Sequence, residues 1–282
     1  MRLTRLFTAS SVMLLATATS AMASVPVDGD ITFQPSVTPV MDKLTAFHNH
    51  WVFPVITVIT LFVMALMIFI MLRFNEKANP VPSKTTHHVG LEIAWTAIPV
   101  LILLVLVFPA MNLLYYADVV PEHEMTVKAT GNTWNWEYSY MDHENVIPYI
   151  SNPLEKDEAK AAGKPYLLGS DAPLVVPVDT TIRVLVTSNA NLHAFAVPAF
   201  GVKIDAVPGR INETWFKVHT GKEGIYYGQC SELCGVNHYK MPIEVQVVSK
   251  DAFKKWVAND GAFKNSLADN NQGGSIETAL QE

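Results

Sequence analysis

Two long uncharged apolar runs dominate the chain, 22 residues from Trp51 to Leu72 and 24 from Ile93 to Tyr116. At about 1.5 Å of rise per residue, either helix spans the roughly 30 Å hydrocarbon core of a bilayer. Pro54, Pro99 and Pro109 fall inside these runs, where membrane helices tolerate proline better than soluble ones do. A shorter apolar stretch, Ser11 to Ala18, follows Arg2 and Arg5 and precedes Ala21-Met22-Ala23, a small-x-small cleavage site. The pattern predicts a signal peptide over 1–23, an exported segment over 24–50 and a transmembrane helical hairpin over 51–116.

Beyond Ala117 the period changes. Thr126 to Ala129, Thr181 to Val186 and Ile243 to Val247 alternate with period two, between turns marked by Pro173, Pro177, Gly201, Pro208, Gly209, Gly221 and Gly224. Short punctuated strands predict an all-β sandwich over 117–250. The Lys/Glu/Ala-rich stretch 152–164 reads as a solvated loop or short helix. A short amphipathic helix is expected from Asp251 to Val257, and the polar Gly/Asn-rich tail completes a terminal segment over 251–282. The fold class is therefore two N-terminal membrane helices followed by an exported β-sandwich.

Charge sets the orientation. The linker over 73–92 carries Arg73, Lys77 and Lys84 against Glu76 and Glu92, whereas Asp28, Asp30 and Asp42 outnumber Lys43 before the first span. The positive-inside rule places the linker in the cytoplasm and both ends outside, as the signal peptide also requires. Half the residues are apolar and only 16% charged, as in a membrane-tethered chain, and a net charge of −6 gives no nucleic-acid footprint.

The chemistry is concentrated in one stretch. The run from Gly228 to Met241 holds both cysteines of the chain, Cys230 and Cys234, together with His238 and Met241. His193 lies upstream, at the end of the Thr181–Val186 strand region, where a sandwich can fold it back over this loop. Thiolate, imidazole and thioether are the soft and borderline donors that copper prefers. Four readings stand at this point. A disulfide suits an oxidising compartment. A Cys2His2 zinc site leaves Met241 without a role. A mononuclear blue-copper site uses one cysteine rather than two. Two copper ions bridged by both sulfurs use all five side chains.

The run Cys230-Ser231-Glu232-Leu233-Cys234-Gly235, with His238 and Met241 behind it, resembles subunit II of cytochrome c oxidase. Leu192-His193 and the run Gly201 to Arg210 extend the likeness, as do Phe47-His48-Asn49-His50, Glu92 to Thr96 and the Trp134-Asn135-Trp136 run. The resemblance implies a cupredoxin-like domain holding the dinuclear copper centre called CuA. Cys230 and Cys234 would bridge both ions. His193 and Met241 would complete one, and His238 with the backbone carbonyl of Glu232 the other. The Glu232 side chain would face a magnesium ion shared with subunit I. Trp134 would be where electrons arrive from cytochrome c, with Trp136 left to packing. Glu92 would stand at the entrance of a proton channel that continues in subunit I. The implied partners are cytochrome c, subunit I and subunit III, in the inner membrane of a bacterium. Oxygen would be reduced to water in subunit I, coupled to proton translocation.

The likeness loosens where that family often carries acidic residues, for Asn189, Ala190, Asn191 and Ser139 stand there instead. From Ala117 onward 21 acidic residues still face 14 basic ones, so steering of a basic donor is expected to survive. Its docking would shift towards Glu137, Asp142 and Glu144, or the donor would be less basic. Three rival readings, the last from another class, fit less well. A quinol-oxidising relative lacks the copper ligands, a soluble nitrous oxide reductase lacks two spans, and a thioredoxin-like copper-delivery protein leaves Met241 and the second span unexplained. A fused c-type cytochrome is excluded because no Cys-x-x-Cys-His occurs.

Overall fold

The computed structural model describes residues 25–262. The signal peptide expected over 1–23 and nearly all of the polar tail lie outside them.

Helix α1 (Pro39–Phe47) starts behind Thr38, whose hydroxyl accepts the Met41 N–H at 3.2 Å and donates to the Phe200 carbonyl at 2.7 Å. One buried hydroxyl thus caps the helix and ties it to the β-domain. The His219 N–H, donating to the Val37 carbonyl at 2.9 Å, adds a second tie. A π-helical turn (His48–Val52) leads into α2 (Phe53–Arg73). Pro54 has no N–H to donate, and its ring would crowd the carbonyl four residues earlier. The wide turn ends just before it, so the proline sits in the first turn of α2. The first helical unit therefore runs without a break over Pro39–Arg73, longer than the apolar run because α1 precedes it.

Helix α3 (Val89–Asp118) continues through Pro99 and Pro109. At its start the His88 ring accepts the Leu91 N–H at 3.2 Å, and the Glu92 carboxylate accepts the His88 N–H at 3.3 Å. Neither α2 nor α3 has a buried residue. Their apolar surfaces are left for lipid or for the helices of other chains.

The β-domain comprises β1 (Met125–Asn132), β2 (Asn135–Tyr140), β3 (Tyr149–Ser151), α4 (Lys156–Ala161), β4 (Leu174–Pro177), β5 (Ile182–Ser188), β6 (His193–Val197), β7 (Val202–Ala206), β8 (Asn212–Phe216), β9 (Gly224–Gln229), β10 (Pro242–Val248) and α5 (Lys250–Ala258). One sheet has the order β3-β2-β1-β5-β8 and a second β4-β10-β9. The β6–β7 hairpin bridges them, with β6 beside β9 and β7 beside β8. This is a β-sandwich with one apolar core, to which Val127, Val184, Phe195, Ile243 and Val245 contribute.

The alternating burial expected of β5 is seen, with Ile182, Val184, Val186 and Ser188 buried. Strand β10 departs from expectation, for all seven of its residues are buried. It is the middle strand of its sheet, and the chain around Lys164 and Ser170 covers its outer face. There Glu244 accepts the Ser170 N–H at 2.7 Å and pairs with the Lys164 ammonium at 2.9 Å.

Candidate metal centre

His193 does not extend β5, as its place in the sequence suggests. Residues 189–192 turn the chain, and His193 opens β6. That difference creates the site, because β6 lies beside β9, whose continuation carries Cys230. The approach is close. A Cβ on Gly228 would stand 2.0 Å from the Ala196 carbonyl oxygen, so glycine alone allows the two strands this spacing. Gly131 makes room in the same way, since a Cβ there would meet the His193 ring at 2.8 Å. The Ser231 N–H then donates to the Ala194 carbonyl at 3.2 Å, and the Cys230 N–H to the Met241 carbonyl at 3.0 Å. The loop is closed by its own backbone.

Both cysteines are free and buried, their sulfurs 3.9 Å apart. His193 Nδ1 lies 3.8 Å from the Cys230 sulfur, and His238 Nδ1 lies 3.7 Å from the Cys234 sulfur. The Glu232 carbonyl oxygen stands 3.2 Å from the Cys230 sulfur. Met241 is fully buried, with its backbone carbonyl on the Cys230 N–H. His193, Cys230 and Cys234 offer ligand atoms within 4.8 Å of one another. His193, Cys230, Cys234, His238 and the Glu232 carbonyl are thus brought to one spot, with the Met241 backbone beside Cys230. Glu92 is not, for it stands in the first turn of α3, at the end away from the β-domain.

The electrostatics favour a metal. Burial, and then the proximity of Cys230, pushes the Cys234 thiol up to about 12. Without a cation that thiol stays protonated, whereas a coordinating metal ionises it outright. Burial and, to a lesser degree, the charge of His238 hold His193 below the ordinary histidine value, so its imidazole is neutral and free to ligate. A metal–thiolate bond is about 2.3 Å, and 3.9 Å is less than twice that length, so an ion can touch both sulfurs. Each imidazole addresses a different sulfur. These distances fit one tetrahedral ion and equally two ions sharing both thiolates.

Trp134 sits in the turn between β1 and β2, half-buried, and its indole N–H donates to the Cys234 carbonyl at 3.0 Å. Trp136 is fully buried and packs edge-on against His193 and Phe195, which makes it a packing residue. Asn191 was not legible as a site residue. Its amide donates to the same Cys234 carbonyl at 3.1 Å, and only its closeness to His193 in sequence could have signalled it.

Two of the carboxylates towards which donor docking is expected to shift, Asp142 and Glu144, lie away from Trp134. The register pairs Asn132 with Asn135 beside the Trp134 turn and Val127 with Tyr140 at the far end of the β1–β2 ladder. Asp142 and Glu144 follow Tyr140, about 20 Å along the strand from Trp134 at roughly 3.3 Å per residue. Glu137 alone of the three lies near the turn.

The likeness to known proteins covers both the membrane helices and the β-domain. The family described as "Cytochrome C oxidase subunit II, periplasmic domain" matches residues 125–248, and its transmembrane-domain counterpart matches residues 26–113. A "Probable cytochrome c oxidase subunit 2" of Rickettsia prowazekii is 44% identical over 265 residues, covering 94% of this chain and 82% of its own length. The cytochrome c oxidase subunit 2 of Cereibacter sphaeroides is 38% identical, covering 94% of each chain. The crystal structure of the periplasmic domain of subunit II of the Bradyrhizobium japonicum cytochrome oxidase is 49% identical over 51% of this chain and 97% of its own, with a TM-score of 0.46. The chain belongs to the cytochrome c oxidase subunit II family, a two-pass membrane subunit of an oxidoreductase complex.

Proposed function

We propose that this subunit takes electrons one at a time from cytochrome c at a dinuclear copper centre and delivers them to haem in subunit I, where oxygen is reduced to water. The observation that carries the reading is the pair of free sulfurs 3.9 Å apart with one imidazole on each side. Cys230 and Cys234 would bridge the two ions, His193 and Met241 would complete one, and His238 with the Glu232 carbonyl the other. Copper held between two thiolates supplies one-electron storage in which the charge is shared and little rearranges on redox.

The chain's own residues prepare that chemistry. Apolar burial around Cys230, Cys234 and Met241 excludes water, and the neutral His193 offers a lone pair at Nδ1. The Trp134 N–H gives a bonded route from the surface to the Cys234 carbonyl, which supports an electron-accepting role at that ring. The Glu232 carboxylate is part-exposed on the loop and has no ion pair among the described residues, which suits a magnesium ion shared with subunit I. Glu92, in the first turn of α3 on the cytoplasmic side, would form the entrance of a proton channel that supports proton translocation. The unburied faces of α2 and α3 suit packing against subunit I and subunit III. The exported signal peptide ends after Ala23 in this reading, and the subunit resides in the bacterial inner membrane with its β-domain in the periplasm.

The test is Cys230→Ser in the assembled oxidase. Oxidation of ferrocytochrome c should be lost while the haem of subunit I still accepts electrons from a small artificial reductant. Undiminished cytochrome c oxidation in that variant would overturn the proposal.

A further inference from the structure

Among the described residues, two side chains donate to the Cys234 carbonyl. The Trp134 indole N–H reaches it at 3.0 Å from the β1–β2 turn, and the Asn191 amide at 3.1 Å from the turn between β5 and β6. A carbonyl oxygen has two lone pairs, so these donors fill its capacity. Cys234 is buried, and an acceptor left unpaired there is costly, whereas losing one of two donors still leaves it a partner. The next residue, Gly235, has a φ of +116°, and a Cβ there would meet the Trp134 ring at 3.1 Å. Glycine is free to adopt other backbone angles, so the chain alone does not set the direction of the Cys234–Gly235 peptide. The two side-chain donors do.

Both donors stand on one frame. The buried Ser188 hydroxyl lies within hydrogen-bond distance of the Asn191 and Gly131 carbonyls. The Asn189 N–H donates to the Gly131 carbonyl at 3.1 Å, and the Asn189 amide to the Asn132 side chain at 2.6 Å. The turn that presents Asn191 is thereby fastened to the end of β1, which leads directly into the Trp134 turn. Asn191 also joins two parts of the site. It precedes His193 by two residues, and that imidazole lies beside the Cys230 sulfur, whereas Cys234 lies beside His238. The Ser231 N–H to Ala194 carbonyl bond ties the same two segments at the Cys230 end. Asn191 ties them at the Cys234 end.

We infer that Asn191 is a positioning residue of the metal centre. With Trp134 it forms a paired clamp on the Cys234 carbonyl that fixes the turn bearing the second sulfur, and either donor alone holds that turn. The inference rests on the copper reading above. It concerns a side chain that acts on the metal only through Cys234.

The experiment uses the assembled oxidase with Asn191→Leu, Asn191→Ala, Trp134→Phe and the two double variants. Asn191 is exposed, so the fold accommodates both replacements, and alanine adds no bulk that could mimic a lost bond. Two quantities are read, the release of copper from the reduced oxidase to bathocuproine disulfonate and the copper resonance signal. Each single variant should release copper within about twofold of the unaltered rate and keep its signal. Each double variant should release it about tenfold faster, with a changed copper hyperfine pattern and an unaltered haem spectrum of subunit I. Asn189→Leu with Trp134→Phe keeps the Asn191 amide and should behave like Trp134→Phe alone. Four outcomes would overturn the inference. The first is release from the double variants no faster than the product of the single effects. The second is the full tenfold change in an Asn191 variant alone. The third is the Asn189 control matching the double variants, which would make the turn and not the amide responsible. The fourth is loss of assembled oxidase from both double variants, which would make the pair general support of the fold. Absence of a two-copper signal in the unaltered oxidase is a different failure, because it removes the copper reading itself.

Discussion

The Trp134 indole N–H donates to the backbone carbonyl of Cys234 at 3.0 Å, across 100 positions of sequence. A half-exposed ring on one sheet is thereby bonded to the backbone of a buried cysteine on a separate loop. Trp134 also packs against the edge of the core, so the bond adds a directional tie to that packing.

Trp134→Phe keeps an aromatic ring and removes that donor. Oxidation of cytochrome c should slow on the order of tenfold, equivalent to about 1.4 kcal/mol in the barrier. Copper content and the copper resonance signal should persist. Stopped-flow oxidation with parallel metal analysis checks this, and an unchanged rate would remove Trp134 from the electron path.

Glu92 has a structural use that must be separated from any proton role. Its carboxylate accepts the His88 N–H at the start of α3, and glutamine can accept the same bond. In Glu92→Gln the helix start should survive, while steady-state turnover slows and the rate of copper reduction by cytochrome c stays as it was. Normal turnover would leave Glu92 as a helix-capping residue alone.

Glu244 predicts a pH dependence of stability. Burial, only partly offset by the charge of Lys164 and the Ser170 N–H, holds this carboxyl above its ordinary value. A folded-state value above the unfolded one means that the folded domain binds the proton more tightly. The contribution is full below about 4.3, the unfolded value, and is lost as pH rises through the raised folded value. Replacing the group by glutamine adds a constant offset from the lost Lys164 pair, but it removes this slope. The stability of the unaltered chain relative to Glu244→Gln should therefore decline as pH rises out of the acidic range, followed by tryptophan fluorescence during thermal unfolding. A gap that widens in favour of the unaltered chain with rising pH would contradict the assignment.

The sequence showed some of this more clearly than the rest. The two spans were legible because uncharged runs of that length have few other uses, and the metal loop because its donors are packed within twelve positions. Strand β6 was not legible. His193-Ala194-Phe195-Ala196-Val197 is buried throughout, so no alternation sets it apart from its neighbours. Its place beside β9 depends on glycine at 228, which reads in the sequence only as the residue that opens the Gly228–Met241 run. Helix α1 escaped notice because Asp42 and Lys43 interrupt its apolar positions, and because its hold on the domain comes from Thr38 and His219, 181 residues apart. Asn191 escaped because an amide carries no metal-ligand signature.

The most direct test of the central claim is electron paramagnetic resonance with copper analysis on the full-length chain. Two copper ions per chain and one unpaired electron shared equally between two copper nuclei are expected, with both features lost in Cys230→Ser. A single-copper or zinc content, or a Cys230–Cys234 disulfide in the metal-loaded chain, would contradict the account.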